Sequence, residues 1–111
     1  MQSQTNTISQ ILKRSGEIAP FDRKKITDAI FKAMAAVGRP DEKMAQKLSE
    51  EVIEIIGEKF HARSIPAVEE VQDIVEEALI KARQIKVAKS YILYRDQRAR
   101  LREMKATMVQ A

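Results

Sequence analysis

Ile11-Leu12-Lys13-Arg14-Ser15-Gly16-Glu17-Ile18-Ala19-Pro20-Phe21-Asp22-Arg23-Lys24-Lys25-Ile26 is the stretch whose reading decides the fold. Ser15-Gly16 between two apolar-rich runs is a hairpin signal, because glycine takes the positive φ of a tight turn at no steric cost. Two short strands are therefore expected. Pro20 has no N–H to give to a ladder, so it ends the second strand or lies on an edge. Asp22 has N-cap chemistry, a carboxylate able to accept from a free amide of a first helical turn. Phe21 before it and Ile26 four residues after it stand at staple spacing. Lys13, Arg14 and Lys25 thus gather near a helix start, where free amides and the positive dipole end favour an anion such as a phosphate chain.

Outward from that stretch the pattern is helical. Ile26, Ala29, Ile30, Ala33, Met34 and Val37 repeat at i, i+3, i+4 and i+7, which predicts a helix over about 23–37. Gly38 stops it and Pro40 bars its continuation. Asp41 caps a second helix over about 42–59, with Met44, Leu48, Val52, Ile55 and Ile56 inward, Phe60 closing it and Gly57 weakening its last turn. Between His61 and Pro66 the periodicity breaks, and Ile65 before proline is held extended, so a short third strand or a connector is expected. A third helix over about 68–82 turns Val68, Val71, Ile74, Val75, Ala78, Leu79 and Ala82 inward. Ala67 is poor capping chemistry for it, while Glu69 and Glu70 suit its dipole. A fourth, over about 86–105, turns Val87, Ala88, Tyr91, Ile92, Tyr94, Ala99 and Leu101 inward, and an uncapped tail follows Met104. The fold class is mainly α: a four-helix bundle capped by a small N-terminal β-hairpin or three-stranded sheet.

The chain has 111 residues, 44% hydrophobic and 32% charged, with a net charge of +4 and no cysteine. That is one soluble domain able to bury a core without staples. Lack of cysteine rules out disulfides, thiolate zinc sites and thiol catalysis within it, and fits a cytoplasmic setting. The positive balance favours anionic ligands without establishing nucleic-acid binding. No apolar run approaches the roughly 18 residues of a membrane span. Met1–Thr7 is polar and uncharged, unlike a secretory signal, and is expected to be disordered.

Several charged groups keep more than one reading. Lys13 and Arg14 are also what a solvated edge strand carries. Arg95, Arg98, Arg100 and Arg102 alternate with Asp96 and Glu103, and Asp96–Arg100 has i, i+4 spacing, so a solvated face is the default. Arg95 or Arg98 turned into a ligand site, or the run contacting nucleic-acid phosphate, are the alternatives. Tyr91 and Tyr94 read as core or boundary residues, and His61, without ligand partners at useful spacing, as surface. The pairs Glu50-Glu51, Glu69-Glu70 and Glu76-Glu77 read as helix-face charges. No G-x-x-x-x-G-K-[S/T] loop and no evident acidic pair support ATP hydrolysis.

Three motifs, in order, resemble the ATP-cone domain. Lys13-Arg14-Ser15-Gly16, Pro20-Phe21-Asp22, Lys25-Ile26 and Ala29-Ile30 resemble its opening. Val68-Glu69-Glu70-Val71-Gln72-Asp73-Ile74-Val75-Glu76 resembles its middle motif, and Val87-Ala88-Lys89-Ser90-Tyr91-Ile92-Leu93-Tyr94-Arg95 its last helix. They cover about Ile8 to Glu103, giving a tail over 1–7, a regulatory domain over 8–103 and a C-terminal tail or linker over 104–111. The resemblance implies a four-helix bundle under a three-stranded lid, without catalysis of its own. It implies an allosteric switch that takes ATP or dATP, with magnesium, usually at the N-terminus of a ribonucleotide reductase catalytic chain. Its implied partners are adenine nucleotides and the reductase catalytic domain or subunit. A homo-oligomer is compatible with it, a membrane is not, and nucleic acid is disfavoured.

Carried over by position, Lys13 and Arg14 match a phosphate-contacting pair, and Gly16 the turn glycine. Asp22 matches a residue that helps hold adenine, and Lys25 a further lysine near the nucleotide. Ile26, Val68, Val71 and Gln72 match the lining of base and sugar. Ile11, Arg95 and Arg98 complete the nucleotide-binding set, with no catalytic and no metal residue. Ala19 stands where some members carry an acid and Gln72 where some carry histidine, which leaves the nucleotide preference open. Two other classes remain beside this reading: a nucleic-acid-binding helical module using the arginine-rich last helix, and a structural bundle that keeps the signature without the binding.

Overall fold

A computed structural model describes residues 8–60 and 64–110. The expectations of a disordered Met1–Thr7 and a surface His61 lie outside the described residues. Strands β1 (Gln10–Leu12) and β2 (Ile18–Pro20) precede helices α1 (Arg23–Ala36), α2 (Glu42–Lys59), α3 (Val68–Lys81) and α4 (Ile85–Gln110). The helices close a ring in which α1 packs on α2 and α4, and α3 on α2 and α4. The bundle and its N-terminal hairpin are as the sequence pattern predicts.

The hairpin is antiparallel, with Gln10 opposite Pro20, Ile11 opposite Ala19 and Leu12 opposite Ile18. Its turn is one residue wider than Ser15-Gly16. The Gly16 N–H donates to the Lys13 carbonyl at 2.9 Å and the Lys13 N–H to the Glu17 carbonyl at 2.8 Å. Arg14, Ser15 and Gly16 therefore form a three-residue loop, with Gly16 at φ +92° in the position where such loops need a left-handed residue. No third strand forms among the described residues. Leu12 makes a single parallel bridge to Ala67, its N–H donating to the Pro66 carbonyl at 2.9 Å. Pro66 offers an acceptor and no donor, so the ladder does not propagate.

One apolar cluster holds the bundle. Ile30, Leu48, Val52, Ile56, Val75 and Leu79 are fully enclosed, and Ile8 is buried beside them. The α2 interior also includes Ala45 and Ser49, which the apolar stripe omits, whereas Met44 and Ile55 are half-buried. Ser49 is tolerated inside because its hydroxyl pairs with that of Thr27 at 2.9 Å.

The helix starts follow the sequence. The Asp22 carboxylate accepts from the Lys24 N–H at 3.0 Å, and that of Asp41 from the Met44 N–H at 3.1 Å. At α3, Ala67 has no side-chain oxygen to offer, and Glu70 instead reaches back to accept from the Ala67 N–H at 2.9 Å. The ends of α1 and α3 share one geometry. Gly38 bonds to Ala35 and Arg39 to Met34, as Arg83 bonds to Ile80 and Gln84 to Leu79. This double return needs a left-handed residue just past the helix. Gly38 supplies it at φ +77° and Arg83 at φ +61°.

Helix α4 departs from the sequence reading in two ways. It runs on to Gln110 instead of ending near Lys105. Ile92 and Leu101, expected inward, are 42% and 53% exposed. Ile92 lies about 100° round the helix from buried Tyr91 and so falls off the inward face. Leu101 is exposed because of length: the 26 residues of α4 outrun the 14 of α1 and of α3, so its second half has no neighbour to bury against. No helix among the described residues is long and apolar enough to cross a membrane.

Candidate functional site

A cleft of about 630 Å³ lies between the hairpin, the start of α1, α3 and the middle of α4. The turn delivers Lys13 and Arg14 to it. On a regular strand, consecutive side chains point to opposite faces. Lys13 and Arg14 stand past the end of β1, where the chain is already turning, and both line the cleft. Asp22 and Lys25 enter from the first turn of α1, which carries Arg23, Lys24 and Lys25 and no acid.

Helix α3 contributes Val68, Val71, Gln72 and Val75, and the apolar lining continues through Ile11, Ile26 and Ala29. Gln72 stands out there. Its Oε1 is buried and has no hydrogen-bond partner among the described residues. A buried acceptor left unpaired costs about 1–3 kcal/mol, so a donor from a bound molecule would be worth that much there.

From α4 come Tyr91, Tyr94, Arg95, Arg98 and Arg102. Spacings of three, four and seven put the three arginines above Tyr91 on one side of the helix. Arg95 is 19% exposed and pairs with Asp73 at 3.0 Å and with Glu76. Burial works against its charge, but the bonds to Glu76 and Asp73 outweigh that and raise its pKa further. Arg95 thus forms a wall and ties α4 to α3. Burial, the largest influence, likewise holds the Tyr91 phenol far above the ordinary tyrosine range, so it stays neutral. Arg98 lies over the Tyr94 ring, 5.8 Å from its centre.

Six cationic side chains, Lys13, Arg14, Lys25, Arg95, Arg98 and Arg102, line the cleft against two carboxylates, Glu17 and Asp22. Arg14 is engaged by Glu69 at 3.0 Å. Among the described residues, Lys13, Lys25, Arg98 and Arg102 form no ion pair. The arginine run is divided. Arg100 pairs with Asp96 at 3.0 Å on the solvated side, whereas Arg98 and Arg102 face the cleft. The glutamates expected to be plain helix-face charges have specific partners as well: Glu69 with Arg14, Glu76 with Arg95, and Glu77 with Lys59 at 3.4 Å.

Of the sequence-derived site residues, Ile11, Lys13, Arg14, Asp22, Lys25, Ile26, Val68, Val71, Gln72, Arg95 and Arg98 meet at this cleft. Gly16 does not line it and acts through the turn. Arg102, which the sequence places only in the arginine run, lines the cleft as well, and its place seven residues after Arg95 is a readable signal. Glu17, opposite Lys13 in the hairpin, carried none. No group of three or more metal-ligating side chains occurs among the described residues.

Residues 9–100 match the ATP cone domain family. The chain belongs to that family. It is 41% identical over 106 residues to a vitamin B12-dependent ribonucleoside-diphosphate reductase of Thermoplasma acidophilum, covering 91% of this chain and 13% of the relative. It is 35% identical over 107 residues to a ribonucleoside-diphosphate reductase subunit alpha of Chlamydia pneumoniae, covering 91% of this chain and 10% of that one. Against an anaerobic ribonucleoside-triphosphate reductase of Haemophilus influenzae it is 34% identical over 100 residues, 88% of this chain and 14% of the relative. The ATP cone chain thus spans a small part of the curated relatives it matches. The three reductases differ in named type and share this region.

Proposed function

We propose that this ATP cone binds ATP or dATP, with magnesium, beneath its hairpin lid, and acts as the overall-activity switch of a ribonucleotide reductase. The observation that carries the reading is the convergence of cations from the turn, α1 and α4 on one cleft with an apolar floor. Lys13 and Arg14, joined by Lys25 and Arg98, take the phosphates through charge-assisted bonds. Ile11, Ile26, Val68 and Val71 lie against base and sugar, and Asp22 accepts from the adenine amino group. The unpaired Gln72 oxygen is the acceptor available to a sugar hydroxyl or a base N–H. Magnesium arrives on the phosphate oxygens, since oxygen-rich ligands suit it and no acidic cluster is built for it among the described residues. Arg95, engaged by Asp73 and Glu76, positions α4 more than it grips the ligand.

The regulatory domain spans residues 8–103 at the N-terminus of a cytoplasmic reductase chain, and its effect passes to the attached catalytic domain or subunit. Phosphate and adenine contacts serve both nucleotides alike and cannot discriminate. Only a group that senses the 2′ position, or a second bound nucleotide, can favour one arrangement over the other. The division of the arginine run between the cleft and intramolecular pairs favours this reading over a nucleic-acid interface.

Calorimetric titration with ATP and with dATP tests the assignment. Binding in the micromolar range or tighter is expected, and Lys13→Ala and Arg14→Ala should each weaken it by at least about 1.5 kcal/mol. Affinity unchanged in both variants would remove the site.

A further inference from the structure

The apolar side of α4 changes face partway along the helix. Val87, Ala88 and Tyr91 are at most 4% exposed and pack into the bundle. Beyond them, Leu93, Leu101, Met104 and Met108 are exposed by 62%, 53%, 60% and 72%. At 3.6 residues per turn these four fall within an arc of about 80°, centred about 120° from Tyr91. They form a stripe roughly 22 Å long on continuous helix. An apolar row of this extent on a charged helix marks a surface that is covered in use.

The stripe leads out of a groove of about 510 Å³ between α1 and α4. Ala33, Val37 and Leu93 line the groove, with Lys32, Lys86 and Lys89 around them and no carboxylate. Among the described residues none of these lysines forms an ion pair. We propose that this face docks an acidic amphipathic helix of a partner protein. Its apolar row would lie along Leu93, Leu101 and Met104, and its carboxylates would meet Lys32, Lys86 and Lys89. Helices seat in grooves through anchors repeating at three and four residues, the spacing of Leu101, Met104 and Met108, with Leu93 two turns before them. A second copy docking groove to groove would bring no carboxylate to these lysines, because its own groove holds none. The inference does not depend on nucleotide binding.

The test uses a fluorescent peptide of about three heptads, leucine at a and d and glutamate at the flanking positions. Fluorescence anisotropy with the intact chain should show saturable binding. Leu93→Glu and Leu101→Glu, both at exposed positions, should weaken it by roughly tenfold or more. A peptide with the same charge and serine for leucine, and one with lysine flanks, should each bind at least about tenfold more weakly. Lys47→Glu, on α2, should leave binding unchanged and so excludes bulk charge attraction. Equal binding of the serine peptide, or no loss in the two leucine variants, would overturn the proposal. So would sedimentation showing self-association that Leu101→Glu abolishes, or stripe-dependent binding to anionic phosphatidylglycerol vesicles in preference to the peptide.

Discussion

Ile30, Leu48, Val52, Ile56 and Leu79 are at most 1% exposed inside the helical ring, whereas on the hairpin Leu12 and Ile18 stand 36% and 53% exposed. The hairpin is tethered by buried Ile8, half-buried Ile11 and Phe21, one backbone bond from Leu12 to Pro66, and the Arg14–Glu69 pair. An element with so few buried contacts opens at a lower free energy than the core beneath it. Such a division suits the proposed sensor. The bundle stays a fixed frame, and the lid is the part whose position a ligand can bias.

The largest expected difference lies between these two regions. Leu48→Ala or Leu79→Ala should lower stability by about 3–5 kcal/mol in urea unfolding, through lost transfer energy and an enclosed cavity. Ile18→Ala on the lid should stay within about 0.5 kcal/mol. A comparable loss at Ile18 would make the lid part of the core and end the distinction.

Arg95 belongs to the frame, tying α4 to α3 along one wall of the cleft. Arg95→Met removes its bonds to Glu76 and Asp73, one of which is 71% exposed and screened by solvent. A stability loss of about 1.5 kcal/mol is expected, with a smaller effect on nucleotide affinity than Lys13→Ala. The reverse order, affinity lost and stability kept, would move Arg95 from the frame to the site.

Within the frame, the ends of α1 and α3 give a smaller contrast. Both close through a left-handed residue, and only α1 has a glycine there. Arg83→Gly should raise stability by about 1 kcal/mol, and Gly38→Ala lower it by a similar amount. A Cβ at Gly38 would meet nothing within 4 Å, so any loss there is conformational and not steric. Thermal unfolding of the pair separates the two signs.

The frame was more legible in sequence than the lid and the outer helix. Stripes such as Ile26, Ile30 and Met34, with caps at Asp22 and Asp41, state helices directly because one local period encodes burial. Sequence leaves a third strand and a connector both open before α3, because pairing depends on a distant partner, and Pro66 supplies only a carbonyl. Leu101 reads as inward because periodicity cannot tell which neighbour a helix has outrun, and Ile92 because an apolar residue about 100° round from Tyr91 fits a wide stripe as well as its edge. Lys13 and Arg14 could be named from the motif. That they share one face depends on a loop one residue wider than the Ser15-Gly16 signal suggested. The partners of Arg95 were hidden because Asp73 and Glu76 lie 22 and 19 residues away in the chain.

The finest probe of the contrast is Glu69, which joins lid to frame. Its carboxylate holds Arg14 at 3.0 Å, with the two side chains 37% and 41% exposed. A pair so exposed contributes about 0–1 kcal/mol, so Glu69→Gln should change global stability by less than about 0.5 kcal/mol. Its effect on the proposed ligand should be larger and of opposite sign. Glu69 competes with phosphate for Arg14 and adds negative charge near the cleft. Without that charge, affinity for ATP should rise by roughly two- to fivefold, or about 0.5–1 kcal/mol. Hydrogen exchange of the β1 amides should quicken in the unliganded variant as the tether is lost. A fall in affinity would mean that Glu69 poses Arg14 for the phosphate, and the lid would then be set before the ligand arrives instead of being drawn down by it.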